Sequence, residues 1–371
     1  MVAELASPDP NAPPAGDTRP VRGLLRFAHL DPLRLGYLGV FGFFAVSAAA
    51  VTLLGNPHDG EAAISLRLSA GTQVAEDTGG AVRAPSFVGT RSANSHLIAD
   101  PALIEDAPEG PLPVTGADGR MPMTAYARAY DRNDKRPKIA VVIGGLDVSA
   151  GQTADALARL PAAITLGFTP FALDLQSWID KARGGGHEVL MEVPMEPFDF
   201  PDSDPGPHAL LTNASADENL KRLHWAMSRA TGYAGIANIL GGRFMGEQNA
   251  IEPVLADAAK RGLFFFDTGV STTSITVTAA RHAKASIAAG TLALDAVQTA
   301  AALDTKLAEL EAQAQQDGYA IGVASPYPIS IARIAEWAAK ADARGFQLVP
   351  VSALVKRPPD LAAAQTTAIA E

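Results

Sequence analysis

From Lys138 onwards, short apolar runs alternate with helical stretches, and this alternation restricts the fold more than any other feature of the chain. Strands that alternate with helices predict parallel β-strands joined by helical crossovers. The predicted strands are 139–143, 163–168, 188–193, 235–239, 263–266, 320–324 and 347–351. The pattern predicts a single distorted (β/α) barrel of about seven strands over residues 138–355, and a doubly wound sheet is the alternative.

An uncharged apolar stretch, 35–54, precedes this domain. Its length matches the roughly 20 residues that a helix needs to span a bilayer. Four arginines precede it and two carboxylates closely follow it, so the positive-inside rule places residues 1–34 in the cytoplasm. We therefore expect a single-pass inner-membrane protein with a periplasmic C-terminal domain. A signal peptide cleaved near 47–50 and a buried core helix are the alternatives.

Composition separates two further segments from the predicted barrel. Residues 55–137 are rich in Gly, Ala, Pro, Asp and Ser, with few aromatic residues. Such a segment buries too little apolar area to offset its ordering entropy, so we expect a flexible linker. The Pro-, Ala- and Thr-rich tail, 356–371, is expected to be disordered.

Overall charge and missing motifs exclude several classes of function. The chain has 40 acidic and 30 basic residues, and this net charge of −10 argues against a nucleic-acid partner. The lack of cysteine excludes disulfides, thiolate nucleophiles and Cys-ligated zinc. No His-x-x-His or His-Glu-x-x-His spacing occurs, which argues against a histidine-rich metal centre. Dinucleotide, P-loop and Gly-x-Ser-x-Gly motifs are absent as well.

Polar side chains follow several of the predicted strands, where the ligands of α/β folds bind. Glu192 and Glu196 lie four residues apart around a Pro-containing strand end. They predict either ligands for a hard cation or an acid/base pair, and a solvated loop is the alternative. Asp267 ends a strongly apolar run, so its carboxylate needs a partner or solvent at the barrel mouth. Asp147, just after the Gly144–Gly145 break, is a further candidate.

Two other strand ends offer groups that bind substrates. Asn238 is followed by Gly241, Gly242 and Arg243. Arg243 is suited to hold an anionic group, and the alternative is an ion pair with Glu196 or Asp267. Ser325 and Tyr327 offer the hydroxyls that a sugar site would use, unless they belong to a Pro-fixed turn. Together with Asp147, these residues form the predicted substrate-binding set.

Residues from about 138 to 355 resemble the divergent polysaccharide deacetylases, a branch of the carbohydrate deacetylase superfamily. The stretches that carry the resemblance are 138–146, 186–197, 204–211, 241–244, 261–267 and 325–328. The resemblance implies a distorted (β/α) barrel and metal-assisted removal of acetyl groups from N-acetylated sugars. In that chemistry a divalent metal polarises the carbonyl and activates water, and an aspartate acts as base.

Residue by residue, this chain departs from the pattern that the resemblance implies. Two aspartates usually end the first strand, and Gly144 and Gly145 stand at those positions. The family's histidines are replaced by Glu192, Ile239 and Ser325. Glycine and isoleucine side chains neither bind a metal nor take a proton. The residues that still match the family pattern are Glu196, Asn238, Arg243, Asp267 and Tyr327.

Three hypotheses follow from these departures. The first is a catalytically degenerate, membrane-anchored protein that binds an envelope polysaccharide, a peptidoglycan fragment or a periplasmic protein without a cofactor. The second is an active deacetylase that hydrolyses C–N amide bonds, with Asp267 and Glu196 as catalytic residues. In that case Glu192, Glu196 and Asp267, with Asp147 as a further carboxylate, would surround a divalent metal. The third is a structural envelope protein.

Overall fold

The computed structural model describes residues 99–269, 272 and 274–362. The predicted cytoplasmic segment, 1–34, and the predicted membrane helix, 35–54, lie outside these described residues. Among the residues that are described, no helix is long and apolar enough to cross a bilayer. The prediction of a membrane anchor therefore stays a prediction.

The described chain begins with a small hairpin and then alternates strands with helices. The hairpin strands are β1 (Ile104–Ala107) and β2 (Gly110–Pro113). The sheet strands are β3 (Lys138–Leu146), β4 (Thr165–Phe168), β5 (Val189–Met195), β6 (Gly235–Leu240), β7 (Phe264–Asp267), β8 (Ser286–Ala289), β9 (Leu292–Ala293), β10 (Tyr319–Ala324) and β11 (Gln347–Leu348). The helices are α1 (Pro122–Ala125), α2 (Ala150–Arg159), α3 (Leu175–Gly184), α4 (Ala216–Met227), α5 (Gln248–Lys260), α6 (Thr276–His282), α7 (Ala300–Asp317) and α8 (Pro328–Ala338).

All pairings in the large sheet are parallel, and the strand order is β8-β7-β6-β5-β4-β3-β10-β9, with β11 paired to the start of β3. The two edge strands, β8 and β9, are consecutive in the chain. Between them, the Gly290 N–H donates to the Asp267 carbonyl (2.7 Å) and the Thr291 N–H donates to the Ile321 carbonyl (2.8 Å). The two residues between β8 and β9 thus bond to β7 near one edge of the sheet and to β10 near the other. The predicted barrel-type α/β fold is confirmed. The sheet has nine strands instead of about seven, because the segment 286–293 forms two short strands, β8 and β9, that the apolar pattern does not predict.

The two faces of the sheet bury different cores, as the two-residue period of a β-strand requires. On the outer face, Ile143, Met191 and Phe265 pack with residues of the surrounding helices. On the inner face, side chains such as Val142 and Ala237 form a second apolar cluster. The inner face is the one that continues upwards into the barrel mouth.

The prediction of a flexible linker over 55–137 is wrong for residues 99–137, which are part of the folded domain. Leu112 of β2 is buried in the outer core. The buried guanidinium of Arg261 bonds to the Glu105 carboxylate (2.6 Å) and to the Pro113 carbonyl (3.1 Å). Contacts of this kind come from residues more than a hundred positions away, so local composition did not reveal them.

The prediction of a disordered tail from 356 is wrong at its beginning. The Lys356 N–H donates to the Ile287 carbonyl at 2.8 Å, and the Ile287 N–H donates to the Lys356 carbonyl at 3.0 Å. Leu361 is buried. Residues 363–371 lie outside the described part of the chain.

Candidate functional site

The C-terminal ends of the strands bring the sequence-predicted residues to one edge of the barrel. Glu192 lies in β5, in register with Ala237 of the inner core, so its side chain continues the inner face. It is almost fully buried. A buried glutamate in an apolar surrounding requires both space and a hydrogen-bond donor.

Two glycines supply the space for the Glu192 side chain. A Cβ atom built on Gly144 would overlap Glu192 Oε1, and one built on Gly167 would lie 2.7 Å from the same oxygen. The donor is the Gly145 N–H, which lies 2.9 Å from Oε2 and 3.1 Å from Oε1. The carboxylate of Glu192 therefore fills the position where the resemblance places the side chain of an aspartate at Gly144.

Burial raises the pKa of the Glu192 carboxyl to about 7, and the Gly145 hydrogen bond opposes this shift only in part. Near neutral pH the group thus exists in protonated and ionised forms. No cationic side chain of the described residues lowers this pKa, so the Gly145 N–H is the group that favours the ionised form.

Glu196 does not join Glu192, because it turns into the loop after β5. Its Oε2 accepts from the Thr212 N–H (2.6 Å) and the Thr212 hydroxyl (2.8 Å). Its Oε1 lies 3.4 Å from Arg243 Nη1, which confirms one of the pairings considered for Arg243. The guanidinium of Arg243 otherwise faces solvent, with 53% of its side chain exposed. Glu196 therefore ties the loops after β5 and β6 together.

Asp267 is also fully engaged within the protein. Its Oδ1 accepts from the Gly269 N–H (2.8 Å), and its Oδ2 accepts from the hydroxyls of Ser274 and Thr276 (2.6 Å each). The carboxylate is buried and holds the start of α6 against the end of β7. The apolar run before Asp267 predicts that its carboxylate needs a partner or solvent, and the structure supplies three donors from the protein itself.

Asn238 links the ends of two neighbouring strands. Its amide donates to the Leu240 carbonyl (2.7 Å) and to the Thr268 hydroxyl (2.8 Å), and its Oδ1 accepts from the Thr268 N–H (2.9 Å). Few hydrogen-bonding positions remain for a substrate. Its observed bonds hold the loops after β6 and β7 together.

The predicted hydroxyl pair at the end of β10 reveals a residue that the sequence analysis missed. The Ser325 N–H donates to Asp295 Oδ2 (2.7 Å), which also accepts from the Ser330 hydroxyl (2.8 Å). Asp295 is buried just after β9, a strand too short to predict from periodicity. Tyr327 precedes α8 and is partly exposed, so its ring and hydroxyl are accessible.

Asp147 differs from the other carboxylates because it retains a free acceptor. It has a positive φ of 82°, and its Oδ2 is buried without a hydrogen-bond partner in the described part of the chain. Burial, with a smaller repulsion from Asp174, raises the pKa of Asp147 to about 6. The Thr169 hydroxyl, at the end of the neighbouring strand β4, is likewise buried without a partner. At this edge of the barrel, these two buried atoms thus lack a hydrogen-bond partner in the described part of the chain.

The residues present do not fit the divalent metal that the resemblance implies. Within residues 99–269, 272 and 274–362, no three His, Asp or Glu side chains come together as a ligand group. Glu192, Glu196 and Asp267 each point to a different set of internal donors. A hard cation needs several oxygen ligands converging on one point, which this arrangement does not supply.

Exposed apolar side chains surround the mouth. They come from the C-terminal ends of five sheet strands and from the loops that follow them: Val148, Phe171, Leu173, Phe198, Leu240 and Tyr327. Phe171 also contacts Trp225, whose ring stacks on His208 at 3.7 Å. We call these six exposed residues the apolar rim. Contiguous exposed apolar surface often marks an interaction site, whereas single exposed apolar residues are common on any protein.

The fold and the strand-end motifs define a polysaccharide-deacetylase-like α/β domain. The model of the divergent polysaccharide deacetylase family matches residues 141–355, so the chain belongs to that family. In a crystal structure, the uncharacterized protein ATU2773 from Agrobacterium tumefaciens C58 is 44% identical, with a TM-score of 0.65. That match covers 66% of this chain and 99% of the other.

A second relative is the uncharacterized protein YibQ of Escherichia coli strain K12, which is 23% identical over 194 residues. The match covers 52% of this chain and 60% of YibQ, so the chain spans less than two thirds of that relative.

Proposed function

We propose that this protein is a non-hydrolytic member of its family that binds N-acetylated envelope glycan at the barrel mouth. The observation that carries the proposal is the state of the two residues predicted as catalytic. The carboxylates of Asp267 and Glu196 are buried, and their oxygens bond to groups of the protein itself. Such carboxylates support loops, and they are poorly placed to activate water.

The apolar rim supports binding rather than chemistry at this edge. Phe198 and Tyr327 present exposed rings on opposite sides of Gly145, after β5 and after β10. Aromatic faces of this kind pack against the apolar faces of sugar rings, while nearby polar atoms accept hydroxyl hydrogens. Asp147 Oδ2 and Thr169 Oγ1 have no partner in the described part of the chain, but both atoms are buried, so a sugar would bond to them only after the groups that cover them moved. A periplasmic protein partner is the other occupant that the rim would suit.

The proposal includes the predicted anchor at 35–54 and a periplasmic location for the barrel. It rests on the length of the apolar stretch and on the arginines before it. Protease digestion of spheroplasts should degrade the barrel while the membrane stays intact. Protection of the barrel under these conditions would place it in the cytoplasm and contradict this part of the proposal.

Binding and hydrolysis are separated by measuring them on the same sample of the full chain in detergent. We expect chitotetraose or a muropeptide to bind in calorimetry with unchanged affinity after chelator treatment, and no acetate to be released. Phe198→Ala and Tyr327→Ala should each weaken binding about tenfold, because each removes a stacking face. Val277→Ala on α6, which also removes an exposed apolar side chain, is the matched control.

Two results would contradict the proposal. Acetate release abolished by chelator would establish the hydrolase instead, and no sugar binding at millimolar concentration would favour a protein partner or a structural role.

One observation favours an active deacetylase as the second candidate. Glu192 and Asp147 both have carboxyl pKa values raised towards neutrality, which is where a general base works best. If acetate is released, Glu192→Gln and Asp147→Asn should abolish that release, while Glu196→Gln should affect it mainly through stability.

A further inference from the structure

A cavity of about 400 Å³ lies at the N-terminal ends of the strands, on the barrel face opposite the mouth. One wall comes from the segment 123–132 and the other from residues 352–357. The Met123 N–H donates to the Gly262 carbonyl just before β7 (3.0 Å), and the Ser352 N–H donates to Glu188 Oε1 just before β5 (3.0 Å). Both walls are therefore attached to the barrel, and the cavity is a formed part of the domain.

Three arginines line this cavity, Arg128, Arg132 and Arg357, and no Asp or Glu among the described residues lines it. Most arginines in the described residues pair with a carboxylate, as Arg136 and Arg333 do. The three cavity arginines form no ion pair within that part of the chain. A positive site of this kind is unexpected in a chain with a net charge of −10.

Two of the three arginines, Arg128 and Arg132, have side-chain contacts that do not neutralise their charge. Arg128 Nη1 donates to the Gly186 carbonyl at 2.7 Å, which fixes its guanidinium. The Arg132 guanidinium lies over the Tyr130 ring, 5.8 Å from its centroid. Thr124, Tyr130 and Ser352 also line the cavity. The hydroxyls of Thr124 and Ser352 donate to the Met121 carbonyl and to Glu188 Oε2. A carbonyl and a ring face leave most of the guanidinium N–H donors available to a ligand.

Two carboxylates, those of Glu188 and Asp360, bond to residues that line the cavity. Asp360 Oδ2 accepts from the Arg357 N–H (2.9 Å). The Glu188 carboxylate accepts from the Ser352 hydroxyl and N–H, from the Thr165 hydroxyl and from the Arg128 N–H. Burial raises the pKa of Glu188, and the hydrogen bonds from Ser352, Arg128 and Thr165 oppose this shift. The oxygens of Glu188 are thus occupied by these donors and form no ion pair with the cavity arginines.

We propose that this cavity binds a small phosphate-bearing ligand. A phosphate ester carries close to two negative charges near neutral pH and has three strong acceptor oxygens. The planar forks of several arginines match those oxygens, whereas a carboxylate would leave most of the donors unused. The cavity volume falls within the range of about 300–1,000 Å³ that is typical of small-ligand sites. The site is separate from the barrel mouth, so it does not depend on the function proposed there.

The test is calorimetry on the full chain in detergent, at constant ionic strength, with inorganic phosphate, glycerol 3-phosphate and acetate as probes. We expect the phosphate probes to bind and acetate to give no comparable heat. The double variant Arg132→Gln/Arg357→Gln should weaken phosphate binding by at least about tenfold, because it removes two guanidinium groups that would bond to the phosphate. Both residues are exposed, so we expect the variant to fold normally. Arg159→Gln/Arg333→Gln removes the same charge elsewhere and should leave binding unchanged.

A further arm distinguishes a free phosphate ester from a lipid headgroup. Dibutanoyl phosphatidic acid, which is soluble, is compared with glycerol 3-phosphate. Tighter binding of the lipid analogue, lost in the cavity variant, supports the proposal with a lipid as the source. Tighter binding of glycerol 3-phosphate supports it with a soluble ester. Equal responses to acetate and phosphate, or equal losses in both double variants, would overturn the proposal.

Discussion

The carboxylate of Glu192 occupies the space that a side chain at Gly144 would need. The two residues lie on β3 and β5, with Gly167 of β4 between them, and a Cβ on Gly167 would also meet the Glu192 carboxylate at 2.7 Å. The glutamate and the glycines are therefore one structural unit. The family resemblance places an acidic side chain on β3, at Gly144. In this protein the acidic side chain in that space comes from Glu192 on β5, which lies on the same inner face.

This relationship predicts that Gly144 and Glu192 are energetically coupled. Gly144→Ala should lower the free energy of unfolding by about 1–3 kcal/mol, because the new methyl group overlaps the buried carboxylate. In the background of Glu192→Ala the same substitution should cost much less. Urea denaturation of the two single variants and the double variant measures the coupling. Additive effects would show that the two side chains do not compete for one space.

The raised pKa of Glu192 predicts that stability falls as pH rises. The folded state holds the proton up to about pH 7, whereas the unfolded state loses it near the ordinary carboxyl pKa of 4.5. The folded state thus binds more protons between these values, and the favourable contribution is lost as pH rises through this window. Above pH 7 both states are ionised and the contribution stays lost.

Glu192→Gln is the variant that isolates this effect. Glutamine keeps an acceptor for the Gly145 N–H and carries no charge, so we expect a flatter stability profile from pH 4.5 to 7. At pH 8 the variant should be more stable than the natural protein, by an amount on the order of 2 kcal/mol. Asp147→Asn is the comparison, because its window lies lower, from 3.8 to about 6. Identical profiles for Glu192→Gln and the natural protein would contradict the assigned shift.

The bonds of Asp267 predict a structural rather than a catalytic phenotype. Asp267→Ala removes the acceptor for Ser274, Thr276 and Gly269, so it should lower the free energy of unfolding by about 2–3 kcal/mol. Glycan affinity, measured below the melting temperature of the variant, should stay close to that of the natural protein. A large loss of affinity in a variant that remains folded would return Asp267 to the binding site.

Arg261 predicts how firmly the N-terminal hairpin belongs to the domain. It is buried and joins Glu105 and the Pro113 carbonyl of the hairpin to Asp257 of α5. Arg261→Ala should cost about 3–5 kcal/mol, because it leaves Asp257 without its arginine and releases the hairpin. Hydrogen exchange of the amides in 104–113 should rise sharply. Arg159→Ala, which breaks an exposed pair, should change neither quantity by much.

The sequence predicted where several residues of the candidate site lie, but not the groups to which their side chains bond. Sequence order alone placed Glu192, Asn238, Asp267 and Ser325 at the C-terminal ends of their strands. In the structure Asp267 ends β7 and Ser325 follows β10, whereas Glu192 and Asn238 lie within β5 and β6. Sequence order did not reveal which side chain each one bonds. Asp267 is held by Ser274 and Thr276, and Asn238 by Thr268, so residues predicted to act on a substrate hold loops in place. Asp295 escaped notice because β9 has only two residues and shows no periodicity.

The sequence by itself determined the α/β barrel class, the start of the barrel at Lys138 and the family, because these depend on the order of apolar runs and motifs. It also determined that the first motif lacks its carboxylates. Only the tertiary structure decided that Glu192 fills the space at Gly144, that 99–137 folds onto the barrel, and that three arginines share one cavity. These features depend on contacts between residues far apart in the chain, and periodicity and composition carry no information on such distances.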